Sequence, residues 1–99
     1  MAAYARKMFG MYGGKEEWVR IECDNSFAGV MIDRFGKDVS MIRLDDKRFV
    51  VNVEVAVSRQ FLAWIIGLGE GVTLAGPDSV VEMMNAEIDR LVKQYKYDN

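Results

Sequence analysis

Cys23 is the single thiol of this 99-residue chain, which has no histidine. A cysteine nucleophile needs a base or cation beside it to raise its thiolate fraction, and no cationic residue flanks Cys23. Without histidine, imidazole metal ligation and imidazole acid–base catalysis are excluded. A lone cysteine forms no internal disulfide, as suits a reducing cytoplasm. The acidic pairs Glu16-Glu17 and Asp45-Asp46 are adjacent in sequence, so their side chains diverge and do not converge on a substrate. The oxygen spacing of a calcium loop is missing. Gly67-x-Gly69-x-Gly71 follows a helical stretch and precedes a strand, the wrong order for a dinucleotide fingerprint. It reads as a turn. What remains is binding chemistry, with Arg20 and Arg43 available to hold an anionic group.

Composition points the same way. Hydrophobic residues make up 51% of the chain, seven of them methionine, at the upper end for a soluble domain. That surplus needs a full core or a partner surface. The net charge of −2 gives no steering toward phosphate. No apolar run approaches the roughly 20 residues of a membrane span. The expectation is one soluble cytoplasmic domain without cofactor, metal or membrane.

The elements follow from periodicity. Glu17 to Cys23 alternates, with Val19, Ile21 and Cys23 on one side and Trp18, Arg20 and Glu22 on the other, which predicts a half-buried strand. Cys23 then points inward as a small hydrophobe. Asp24-Asn25-Ser26 offers caps for a helix carrying Phe27, Val30, Met31 and Phe35, stopped at Gly36. Val39 to Leu44 and Arg48 to Val57 are two strands about the polar turn Asp45-Asp46-Lys47. In the second, Phe49, Val51, Val53, Val55 and Val57 share a face, with Val50, Asn52 and Glu54 opposite. In the first, Ile42 and Leu44 are expected inward, because an inward Arg43 would be buried unpaired.

Ser58 is expected to cap a helix holding Phe61, Leu62, Ile65 and Ile66. The glycine turn then leads into a strand from Val72 to Ala75. Pro77, at a first helical position, opens an amphipathic helix with Val80, Val81, Met84, Ile88, Leu91, Val92 and Tyr95 at three-and-four spacing. Asp78 and Glu82 near its start, with Arg90, Lys93 and Lys96 toward its end, suit the helix dipole.

The predicted order is α+β: a ferredoxin-like βαββαβ antiparallel sheet with helices on one face, plus a C-terminal amphipathic helix. The sheet's other face is left open. By alternation it carries Trp18, Arg20, Met41 and Arg43, the candidate ligand or dimer face, with Glu22, Val50, Asn52 and Glu54 beside them. RNA binding on such a sheet wants outward aromatics in basic surroundings, which Asn52, Glu54 and Glu22 do not supply. An acylphosphatase-like phosphate cradle needs backbone amides and an arginine after the first strand, where this chain has Asp24-Asn25-Ser26-Phe27.

Several stretches together resemble the C-terminal extension, or WCX domain, of bacterial WYL-domain transcriptional regulators. They are Phe9-Gly10-Met11, the strand Trp18 to Cys23, the run Trp64-Ile65-Ile66-Gly67-Leu68-Gly69, Pro77, and the closing helix ending near Tyr95. The resemblance implies that residues 1–16 are a linker from an upstream WYL domain and residues 17–99 the extension itself. Such regulators carry a winged helix-turn-helix that binds DNA, a WYL domain regarded as the effector sensor, and this extension, implicated in oligomerisation and in assisting ligand sensing. Neither upstream domain lies in these residues, so no DNA-contacting or effector-contacting residue transfers. The resemblance implies a non-enzymatic regulatory and oligomerisation domain, a homodimer that meets DNA only through the upstream domain. A free-standing small-molecule-binding module of the ACT type, with the same βαββαβ order, is the alternative.

Overall fold

The computed structural model describes residues 16–96; the linker expected at 1–16 lies outside them except for Glu16. The elements are β1 (Glu16–Asp24), a 3-10 turn (Asn25–Phe27), α1 (Ala28–Phe35), β2 (Ser40–Arg43), β3 (Arg48–Ala56), α2 (Arg59–Gly67), β4 (Val72–Gly76) and α3 (Asp78–Tyr95). The four strands form one sheet in the order β2-β3-β1-β4, with every neighbouring pair antiparallel. Each of α1 and α2 carries the chain over the strand that lies between the two it joins. That is the split βαβ arrangement of the expected ferredoxin-like α+β fold.

Alternation drives the long central strands together. Val19, Ile21 and Cys23 of β1 stand opposite Val53, Val51 and Phe49 of β3, and all six are buried under the helices. Cross-strand β-branched and aromatic pairs of this kind are the unit of sheet stability. Met31 and Phe35 of α1 and Phe61, Leu62 and Ile65 of α2 complete the core. The two helices meet where Trp64 packs edge-on against Phe35, ring centroids 5.6 Å apart, with the Arg34 guanidinium 5.8 Å over the indole.

Local chemistry sets the element ends, not always as the sequence suggests. The Ser58 hydroxyl accepts the Phe61 N–H at 3.3 Å and caps α2. The polar run before α1 makes no side-chain cap. Asn25 instead ties the end of β1 to the β2–β3 turn, its side-chain amide donating to the Asp46 carbonyl at 3.0 Å and its N–H to the Lys47 carbonyl at 2.9 Å. Pro77 precedes the first helical residue of α3, at the cap position. In the turn before β4, Gly69 has φ +92, a region other residues rarely adopt. Gly71 lies so close to the Phe27 ring that a Cβ there would sit 2.6 Å from its edge.

Helix α3 extends the helical layer beyond α2. Val80 is fully buried in the core and Met84 packs against it. Glu87, only 9% exposed, fastens the helix to α2: its carboxylate accepts from Arg59 Nε at 3.3 Å and from Arg90 Nε at 3.2 Å. Past that point the helix carries exposed apolar side chains, Ile88 and Tyr95.

Candidate functional site

The face of the sheet away from the helices is ordered in cross-strand rows. Ser40, Asn52, Arg20 and Gly76 form one, and Ile42, Val50, Glu22 and Thr73 the next. Trp18 and Glu54 stand opposite each other at one end, and Asp24 and Arg48 at the other. Trp18 is 64% exposed and Ile42 is 57% exposed, whereas Val50, between Ile42 and Glu22 in its row, is only 4% exposed. Arg48 is held by Asp45 at 3.2 Å and lies 3.8 Å from Glu22. Arg20, by contrast, makes no ion pair among the described residues. Its neighbours in the row are an amide and a glycine without a side chain. Among the described residues, Arg20 is therefore the one cation of this face whose hydrogen-bonding fork is open to an anionic group.

Of the four candidate residues, the structure brings two together. Trp18 and Arg20 share the open face of β1. Met41 and Arg43 do not join them: Met41 stands opposite Val51 and Arg43 opposite Phe49, which is the helix-covered face. Met41 packs against the core. Arg43 escapes burial because it lies at the strand end, where its guanidinium meets Asp46 at 2.8 Å with both side chains largely exposed. The expectation of Ile42 and Leu44 inward is corrected accordingly, since both are exposed. The register is set by the turn. Asp45 Oδ1 accepts the N–H groups of Lys47 and Arg48 at 2.8 and 2.9 Å, while the Leu44 N–H donates to the Arg48 carbonyl at 3.0 Å. These bonds fix the loop length, and the loop length decides which neighbour faces the core. The cost expected for an inward arginine does not arise at the exposed end of an edge strand.

Ile42 is the open-face residue that sequence reasoning missed. The spacing of Val39 and Met41, both packed against the core, was the available signal. Beside Trp18 a shallow groove of about 280 Å³ opens at the sheet edge, lined by Trp18, Phe35, Asp38, Val39, Asn52 and Glu54 among others. It lies beyond the short β2, where β3 continues past Asn52.

The titratable groups serve structure. Burial pushes the Cys23 thiol up to about 12, with the Asp24 and Glu22 charges adding to the effect, so the thiolate is suppressed. The Lys47 N–H holds the Asp45 carboxyl below its usual range, with Arg48 contributing. The Arg90 hydrogen bond does the same for Glu87, aided by Arg59. Among the described residues, no three His, Cys, Asp or Glu side chains come together to hold a metal ion, and no helix is long and apolar enough to cross a membrane.

A four-stranded ferredoxin-like sheet, with helices on one face and Trp18 and Arg20 on the other, makes this a small α+β domain. Residues 15–92 match the WCX domain family, and the chain belongs to that family. It is a family of regulatory domains found in WYL-type regulators, not one of enzymes. Comparison with curated proteins gave no match.

Proposed function

We propose that this chain is the C-terminal regulatory module of a bacterial DNA-binding transcription regulator, working in the cytoplasm as a homodimer. Its open sheet face receives an effector or a neighbouring domain. The observation that carries the proposal is Trp18 standing exposed beside Arg20 on a central strand. An exposed indole is costly to leave in water, and a guanidinium beside it that is unpaired among the described residues suits an anionic, partly apolar partner. DNA is met through an upstream winged helix, with a WYL domain between, reached through the linker at the N-terminal end. An effector that binds two arrangements of the dimer unequally shifts their populations and so repositions the DNA-binding heads.

Two measurements on the 99-residue chain test this. Sedimentation velocity is expected to give a dimer, and a monomer at the highest soluble concentration would remove the homodimer. A thermal-shift panel of anionic metabolites and single-stranded oligonucleotides is expected to raise the Tm with at least one ligand, since binding to the native state alone stabilises it. Arg20→Gln and Trp18→Ser should abolish that rise. A rise untouched by either substitution would remove the open face from the site.

A further inference from the structure

The exposed flank of α3 is not explained by the fold. Val80, Met84, Glu87 and Leu91 face the body, as docking to α2 and β4 requires. A second set, Val81, Asn85, Ile88, Val92 and Tyr95, follows at intervals of four, three, four and three residues along one side. That is the spacing of a coiled-coil seam, with one polar position within it. Ile88 is 43% exposed and Tyr95 73%. The seam borders a groove of about 350 Å³, floored by Ile65, Val72 and Leu74, with Ile66 and Ile88 in its walls.

The charges bordering this seam are sorted by end. Asp78 and Glu82 lie beside its start, Lys93 and Lys96 beside its end, all exposed. All four lie on one flank of the seam, which a parallel partner would set against the opposite flank, where Val80, Met84, Glu87 and Leu91 face the body. An antiparallel copy sets Glu82 against Lys93 and Asp78 against Lys96, twice over. The helix dipole accounts for the charge asymmetry alone, but not for Ile88 and Tyr95 left exposed beside it, with Val81 and Val92 half-buried in the same row. We infer that two copies of this chain associate through α3, antiparallel about a two-fold axis near Ile88, with Val81 of one copy meeting Tyr95 of the other. An isologous contact of this kind closes on itself and leaves the open sheet faces free. The inference rests on the homodimer proposed above and says where its two halves touch. Asp89 is the one mismatch, since it falls beside its own copy near the axis.

The test is the molar mass of the full chain by sedimentation. Ile88→Glu should weaken the dimer at least about tenfold, the equivalent of one buried aliphatic side chain, while Trp18→Glu leaves it intact. Glu82→Lys and Lys93→Glu should each weaken it and together restore it, and Asp89→Asn should tighten it. Ile88→Cys should form an inter-chain disulfide under mild oxidation, whereas Gln94→Cys, on the other side of the helix, should not; Cys23 is buried and does not compete. Dissociation by Trp18→Glu with Ile88→Glu still dimeric would overturn the α3 contact while leaving the homodimer standing. A wild-type monomer would overturn both.

Discussion

Met41 and Ile42 are neighbours with opposite surroundings, and a pair of glutamate substitutions distinguishes them. Fully burying a methionine or isoleucine side chain stabilises by about 1.5–3 kcal/mol. Met41 is largely buried opposite Val51 and against the core. Met41→Glu therefore loses most of that gain and also places a carboxylate where hydration is restricted, a total of about 3 kcal/mol. Ile42 is 57% exposed on the open face, so Ile42→Glu forfeits less than half of the same transfer energy, about 1 kcal/mol, and its carboxylate stays in water. The gap of about 2 kcal/mol corresponds to roughly 8–16 °C in Tm for a domain of this size. Urea unfolding monitored by circular dichroism measures it directly, provided the m-value is unchanged. A one-residue slip of β2 would exchange the two environments. Equal losses, or a larger loss for Ile42→Glu, would refute the register and the placement of Arg43 with it.

Other consequences follow from individual contacts. Gly71→Ala forces a Cβ to within 2.6 Å of the Phe27 ring and 3.0 Å of the Asp24 carboxylate, at a cost of about 1–3 kcal/mol. Gly67→Ala meets nothing within 4 Å and is expected to be neutral or stabilising by about 0.4–1 kcal/mol; thermal melts of the two order them. Glu87 has a carboxyl held below its ordinary value in the folded state by Arg90 and Arg59, so its stabilisation is complete above the usual glutamate range and is lost as pH falls through the depressed folded value. Glu87→Gln should lower the Tm at neutral pH, and the difference from wild type should shrink as the pH is taken below that range; a gap constant with pH would contradict the ion pairs. Cys23, with its thiol pushed up to about 12, should resist a disulfide reagent near pH 8 until urea unfolds the chain; prompt labelling of the native protein would show that it is not buried.

How much of this was legible beforehand depends on which interactions are local. Strands β1 and β3 announce themselves because alternation over nine residues sets one apolar row inward, although Val50 and Ala56 of β3 are buried on the other face as well. The long amphipathic α3 and the Ser58 cap are likewise properties of a short stretch of chain. Trp18 and Arg20 were placed on the open face for the same reason, since the inward side of β1 could only be Val19, Ile21 and Cys23.

Elsewhere the outcome was settled only when the strands paired and the helices docked. The four residues of β2 are too few for alternation to choose a face, and both choices bury one aliphatic side chain. Asp45, by collecting the N–H groups of Lys47 and Arg48, set the turn that made the choice. Asn25 could have capped a helix but found the Asp46 and Lys47 carbonyls across the sheet. The amino-acid order by itself determined the elements, the ferredoxin-like order and the half of the open face that lies on β1. Only tertiary structure decided which residues of β2 join that face and which apolar side chains of α3 stay outside the core. The first rests on the local Asp45 turn, which takes effect only once β2 pairs with β3. The second rests on docking of α3 to α2 through Glu87 and Arg59, which are distant in sequence.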